Sequence, residues 1–211
     1  MKILYKLRKY QLSWYNNYGC DNMTYNDLKK ILLADDVYLQ LKKYEQEIFK
    51  LIPELESCKG FEQNSKWHIY DVYEHILHVV SYTEPNLCLR LSALFHDIGK
   101  PLVYKEDENK EGHFYNHWNE SLRIFKKYQE RFELSSQEIL LISNLIYYHD
   151  INLDNIDSLQ LNKLIDGFAG KDIELLFNLK KADLKSQSRK YHYLLDNIDA
   201  QREKLVKYKN I

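Results

Sequence analysis

The sequence predicts an all-α protein, a bundle of helices carrying one small hairpin. Three observations predict it. Glycine and proline, the strongest helix breakers, number only 6 and 3 in 211 residues. Apolar residues recur mostly at spacings of three and four, the period of a helix buried along one face. The alternation of a half-buried strand is hard to find, and only Val103 to Tyr115 reads as a plausible hairpin.

Taken in order, Thr24 or Asn26 caps a first short helix ending near Leu33. Asp36 opens a longer one through Val37, Leu41, Tyr44, Ile48 and Leu51, before Pro53. Gly60 and the polar stretch Glu62 to Lys66 form a loop. Asp71 caps an amphipathic helix through Val72, His75, Ile76, Val79 and Val80, which Pro85 stops. Asn86 starts the next, Leu87 to Asp97, apolar enough to be central in a bundle, and Gly99 and Pro101 end it abruptly. In the hairpin, short extended arms flank a charged, exposed turn at Asp107 to Gly112, a flap or loop. Helices return at about Asn116 to Phe132 and at Ser135 to Tyr148, where Ser135 is the cap and Glu138 holds the reciprocal capping-box position. A segment from Leu159 to Phe168 follows, then Lys171 to Asp183, apolar on one side. The last helix, about Tyr191 to Lys207, is charged enough to be largely solvated.

Composition narrows the function. At 25.5 kDa the chain suits one domain, or one domain with an appendage, and can bury a core without staples. Cys20, Cys58 and Cys88 are odd in number, far apart and in no CxxC pair, which fits reduced thiols in a cytoplasmic protein and excludes a zinc–thiolate site. The N-terminus, Met1 to Tyr10, is broken by charge every few residues, and no apolar run approaches the roughly 18 to 20 residues of a membrane span. Export and membrane insertion are not expected. With 30 basic and 31 acidic side chains the net charge is -1, without the basic footprint of a dedicated nucleic-acid binder. A small charged substrate fits this balance.

The candidate chemistry gathers at helix ends. His96 and Asp97 are adjacent at the end of an apolar helix, where packing alone gives them no task. Consecutive helical residues point about 100° apart, so both reach one ion only near a terminus, where Gly99 places them. His75 lies on the apolar face of its helix with Val72, Ile76 and Val79, where an unpaired ring is costly unless bonded or metallated. Asp183, near the end of another apolar helix, is a further carboxylate candidate. His117 and His149 sit at element ends where side chains can turn into a cleft, to hold a second ion or bind phosphate. Metal sites of imidazole and carboxylate need donors converging from different elements, and these residues supply them.

This arrangement resembles the HD-domain superfamily of metal-dependent phosphohydrolases, matched as His75, His96-Asp97 and Asp183. It is most similar to the HD domains attached to bacterial tRNA nucleotidyltransferases. That likeness is carried by Gly60 to Asn64, His68 to His75, His96 to Pro101, His113 to His117 and Lys180 to Asp183, within roughly Ile52 to Ser188. No nucleotidyltransferase head is read before it, so CCA addition is not carried over. The expected organisation is an N-terminal helical extension, 1–50, packing on an HD domain with its C-terminal helix, 51–211. The resemblance implies an all-helical fold, divalent metals and hydrolysis of phosphomonoesters or phosphodiesters by metal-activated water. Members using two metals add histidines between the doublet and the last aspartate. His117 and His149 match these, so the implied metal set is His75, His96, Asp97, His117, His149 and Asp183, with Asp97 as bridge.

Asp97, Lys100 and His117 are the catalytic candidates. Lys100, just beyond the doublet, can neutralise charge on a phosphate, and with His68, which precedes the ligand helix, forms the substrate-binding pair. His78 is expected to pack against the bundle, His113 and His192 to be exposed, and Asp71 to serve as a cap. Nitrogen and oxygen donors suit several ions, one or two in number, in the order manganese, iron, magnesium. The expected partner is a small phosphorylated substrate such as a nucleotide. An RNA-end-processing or RNA-binding module is one alternative, against which the neutral charge counts. A diiron oxygenase is the other, because some HD proteins with six such ligands oxidise small molecules.

Overall fold

The computed structural model describes residues 23–169 and 172–209. The readings made for Met1 to Tyr10, Cys20 and Lys171 lie outside the described residues. The rest is almost wholly helical. In chain order run α1 (Tyr25–Leu32), α2 (Val37–Lys43), α3 (Glu45–Leu51), α4 (Pro53–Cys58), α5 (Val72–Tyr82), α6 (Leu87–Phe95) and α7 (Lys100–Val103). A two-stranded hairpin follows, then α8 (His117–Tyr128), α9 (Ser136–Tyr148), α10 (Ser158–Asp166), α11 (Ile173–Ser186) and α12 (Leu195–Lys209). No helix among the described residues is long and apolar enough to cross a membrane.

Local chemistry sets most helix starts. Thr24, Ser135 and Asp157 form capping boxes, each accepting from the third helical N–H while that residue's side chain reaches back. Asp71 and Asn86 cap α5 and α6 through the N–H groups of Glu74 and Leu89. Some boundaries differ from the sequence reading. Asp36 makes no cap and binds Gln40 instead. The long helix expected from there is two, because Tyr44 leaves helical geometry (φ -104°, ψ 23°). Pro53 starts α4 as its first residue, where its missing N–H costs nothing. The span Asn116 to Phe132 ends in a 3₁₀ turn from Gln129, and another, Arg189–Leu194, precedes α12.

The central helix ends two residues earlier than expected. α6 stops at Phe95, and the chain turns through His96 to Gly99 with bonds that reach back three residues, from Ile98 N–H to Phe95 O and from Lys100 N–H to Asp97 O. α7 then begins at Lys100, so Gly99 and Pro101 redirect the chain instead of ending helix altogether. Gly99 donates its N–H to Ser121 Oγ at 3.0 Å, and a Cβ there would meet Ser121 N at 2.5 Å and His117 O at 2.7 Å. Only glycine permits this approach of the turn to α8.

The hairpin is shorter than expected. Lys105–Glu106 pairs antiparallel with Gly112–His113, Val103 belongs to α7, and Gly112 is buried against the Gln63 backbone. Asp107 shapes the turn by accepting from Asn109 and Glu111 N–H, with Lys110 left-handed at φ 62°.

One core runs from Met23 to Leu205, with Phe95, Phe125, Phe132, Tyr73 and Phe177 as its largest fully buried rings. α6 lies at its centre, touching α5, α9, α11 and α8, and α5 packs along α11. α1 and α2 rest on α6 and α5. Arg90, 4% exposed, donates to the carbonyls of Leu32, Ala34 and Thr83 and so fastens the α1–α2 turn to α6. Among the other histidines, His78 stacks between Tyr38 and Tyr70, and His113 pairs with Asp107. His192 is not exposed as expected, since its Nε2 is buried without a hydrogen-bond partner among the described residues.

Replacing Gly99 by alanine is therefore expected to lower stability by roughly 1–3 kcal/mol, through backbone overlap between the His96–Gly99 turn and α8. A thermal melt checks this, and an unchanged Tm would contradict the close approach.

Candidate metal centre

The turn after α6 places His96 and Asp97 in the middle of the bundle, 0% and 2% exposed. Four other elements bring donors to them. α5 carries His75 in its second turn, α8 begins at His117, α9 ends against His149, and α11 contributes Asp183. All six side chains named in the metal set meet there.

Asp97 divides them. Its Oδ2 lies 3.2 Å from both His75 Nε2 and His96 Nε2. Its Oδ1 lies 3.1 Å from His117 Nε2 and 3.6 Å from His149 Nε2. Donor atoms of His75, His96 and Asp97 are close enough to hold one cation, and those of Asp97, His117 and His149 another. Asp183 Oδ1 adds a carboxylate 3.0 Å from His75 Nε2.

The second ring nitrogens are all spoken for. His96, His117 and His149 donate Nδ1–H to the carbonyls of Ala93, Phe114 and Ile146 at 2.7, 2.9 and 2.7 Å, each three residues back. Ser186 spends its one proton on Asp183 O, so its Oγ accepts from His75 Nδ1–H at 2.7 Å. With Nδ1–H bonded this way, a ring that carries no second proton turns its Nε2 lone pair inward. Those lone pairs face each other, His75 to His96 at 3.4 Å and His117 to His149 at 3.1 Å. Such pairs repel unless a proton or a metal ion is shared between them, and a set of imidazole and carboxylate donors converging in this way fits a divalent metal.

Electrostatics agree. Burial pushes the Asp97 carboxyl up, but His96, Lys100 and hydrogen bonds from His117 and His149 hold it well below the usual carboxylate range. Burial likewise raises Asp183, and His75 more than offsets it. For His75 itself burial opposes charge, yet Asp183 and Asp97 outweigh burial and raise its pKa.

Lys100 is buried, with its Nζ 2.6 Å from Asp97 Oδ2 and 2.8 Å from Gln63 Oε1. His68 stands edge-on to His75, ring centres 5.2 Å apart. Burial, followed by the charges of Lys100 and His75, pushes its pKa down to about 2, so the ring is neutral. Its Nδ1 has no hydrogen-bond partner among the described residues. A pocket of about 240 Å³ opens onto this cluster, lined by Asp97, His117, His149, Asp183, Lys100 and His68, with His113 to Tyr115 as an outer wall.

Three residues at the site went unassigned in the sequence reading. Ser186 orients His75, and its only signal is a place one turn beyond Asp183. Gln63, 1% exposed, is anchored through Nε2 to Tyr70 O and aims Lys100. Lys180 donates to the carbonyls of His149 and Ile151, joining α11 to the end of α9. Gln63 and Lys180 fall within the segments that carry the family likeness, which was the one signal for them, but neither spacing nor periodicity points to these contacts.

Ser186→Ala is expected to weaken divalent-metal affinity roughly 10- to 100-fold while the fold persists. Calorimetric metal titration measures it, and an unaltered affinity would remove Ser186 from the site. A proton and a metal ion compete for His75 Nε2. Because the pKa of His75 is raised, that proton is held until the pH passes a value above 6.5. Metal affinity should therefore weaken as pH falls from above 6.5, and metal uptake should release protons, which titration in buffers of different ionisation enthalpy detects.

Comparison with known proteins agrees with this geometry. The chain is 32% identical over 108 residues, 49% of its length, to the Multifunctional CCA protein of Shewanella frigidimarina. It spans a quarter of that protein, 25%. The HD domain family matches residues 68–200, more than half of the chain and the stretch that carries all four inward-facing histidines and both carboxylates. By that match the chain belongs to the HD domain family.

Proposed function

We propose that this HD domain is a divalent-metal-dependent phosphohydrolase that cleaves a phosphomonoester or phosphodiester of a nucleotide or related small molecule. The observation that carries the reading is the buried Asp97 carboxylate, whose two oxygens face two separate histidine pairs. His75, His96, Asp97 and Asp183 would hold one cation, and Asp97, His117 and His149 a second. Manganese, iron and magnesium, in that order, suit this role. A bound divalent cation lowers the pKa of water from about 15.7 towards 7, supplying a nucleophile at neutral pH.

The chain's own groups do the rest. Lys100 presents a fixed ammonium at the pocket floor, held by Gln63 and Asp97, where it offsets charge growing on phosphoryl oxygens. Phe114 lies under that ammonium, 5.2 Å from ring centre to Nζ, and restricts its hydration. His68, neutral and lining the pocket, offers the substrate a polar ring without adding charge. His117 has one nitrogen on Phe114 O and the other in the donor cluster, so it contributes as a ligand and not by proton transfer. A pocket of about 240 Å³ is of a size for a small phosphoester.

Elemental analysis of the purified protein should find a bound divalent metal, and a phosphoester panel should show metal-stimulated phosphate release. Asp97→Ala is expected to lose both. Lys100→Met should keep the metal and lower kcat about 10²- to 10³-fold. Wild-type protein that binds no divalent metal, or binds it equally well after His96→Ala and Asp97→Ala, would refute the reading.

A further inference from the structure

A second pocket of about 500 Å³ lies beside the metal pocket, within the range of small-molecule sites. Trp118 and Asp150 line both. Each directly follows a histidine of the donor cluster, His117 and His149, so the boundary between the pockets is built from the same two helix ends. A molecule with its phosphate at the histidines reaches the second pocket by passing these two side chains.

The walls of this pocket are of two kinds. One part of the lining is aromatic, Trp118 in the first turn of α8 and Tyr147 and Tyr148 in the last turn of α9. The two tyrosines are edge to face at 4.9 Å and 89°, and Tyr147 is 42% exposed. Another part is polar and includes Asn152, Gln160 and Lys163. The Asn152 Oδ1 accepts from Asp154 N–H and the Gln160 Oε1 from Asp157 N–H, both at 3.0 Å. With those oxygens committed to backbone turns, the amide NH₂ groups and the Lys163 ammonium make this wall rich in donors.

Aromatic rings and donors in one pocket match a planar heterocycle that carries ring nitrogens and carbonyls as acceptors. A bare sugar lacks the flat, acceptor-bearing ring that this lining suits, and a second phosphate would meet the Asp150 carboxylate as well as the Lys163 ammonium. We propose that this pocket is a nucleobase subsite, with Trp118 and Tyr147 stacking the ring and Asp150 accepting from a ribose hydroxyl on the way to the metal pocket. It selects nucleoside phosphates over phosphates of bare sugars. The assignment of the phosphate end rests on the proposed hydrolase reading; the ring end does not.

The probes are adenosine, cytidine and ribose, which carry no phosphate and cannot be turned over, titrated into the metal-loaded protein by calorimetry and saturation-transfer NMR. Both nucleosides should bind and ribose should not. Tyr147→Ala and Trp118→Ala should each weaken nucleoside binding about tenfold, the loss of one stacking face, and Tyr147→Phe should restore it. The preference in kcat/KM for AMP over ribose 5-phosphate should fall by a similar factor in the alanine variants. Nucleosides binding no better than ribose, or binding unchanged by both alanine substitutions in folded protein, would overturn the subsite. Absence of metal-stimulated phosphate release from either ester, with nucleoside binding and its loss intact, would instead refute the hydrolase reading and leave the subsite standing.

Discussion

Everything at the site depends on one buried carboxylate. Asp97 is almost fully removed from water, and a lone ion in that position is strongly disfavoured unless its oxygens are met by cations or donors. Four imidazoles and Lys100 surround it, His75 from within α5, His96 and Lys100 from the turn after α6, His117 from the start of α8 and His149 from the end of α9. The bundle is arranged so that five chain segments meet where this charge is. Their orientation is not left to side-chain rotamers, because three rings are anchored to carbonyls one turn back and the fourth to Ser186. The same anchoring that fixes the tautomers also fixes the distances between the two histidine pairs.

Helix existence was legible in the sequence because periodicity and caps are local. Ser135 with Glu138, Asp71 and Asn86 behave as their types and spacings imply. Breaks were less legible. Nothing in the sequence around Tyr44 marks its departure from helical geometry, and Pro53 reads equally well as a stop and as a first residue. The end of α6 illustrates the gap in a functional place: Gly99 announced a terminus, but the exchange of helical bonds for shorter ones at Phe95 is decided by how closely the turn must approach Ser121.

The ligand set was legible for a different reason. Histidines and aspartates at apolar helix ends are expensive without a partner, so their positions stand out against the surrounding core. Supporting residues have no such contrast. Gln63 sits in a polar loop and Ser186 among lysines and glutamine, where a sequence offers many equivalent polar side chains. What distinguishes them is contact across the fold, with Lys100 and His75, and that information is tertiary.

The hydrogen bond from His75 to Ser186 spans 111 positions, and the Lys180 bonds to His149 and Ile151 about 30 more locally. During synthesis, α5 and the turn after α6 are complete long before α11 exists, so the first histidine pair waits without its last carboxylate and without the serine that orients it. Loops of that length close slowly compared with helix formation. A cation at this site would meet its full donor set only once α11 has docked, so the complete cavity belongs to the finished bundle and not to any one stretch of the chain.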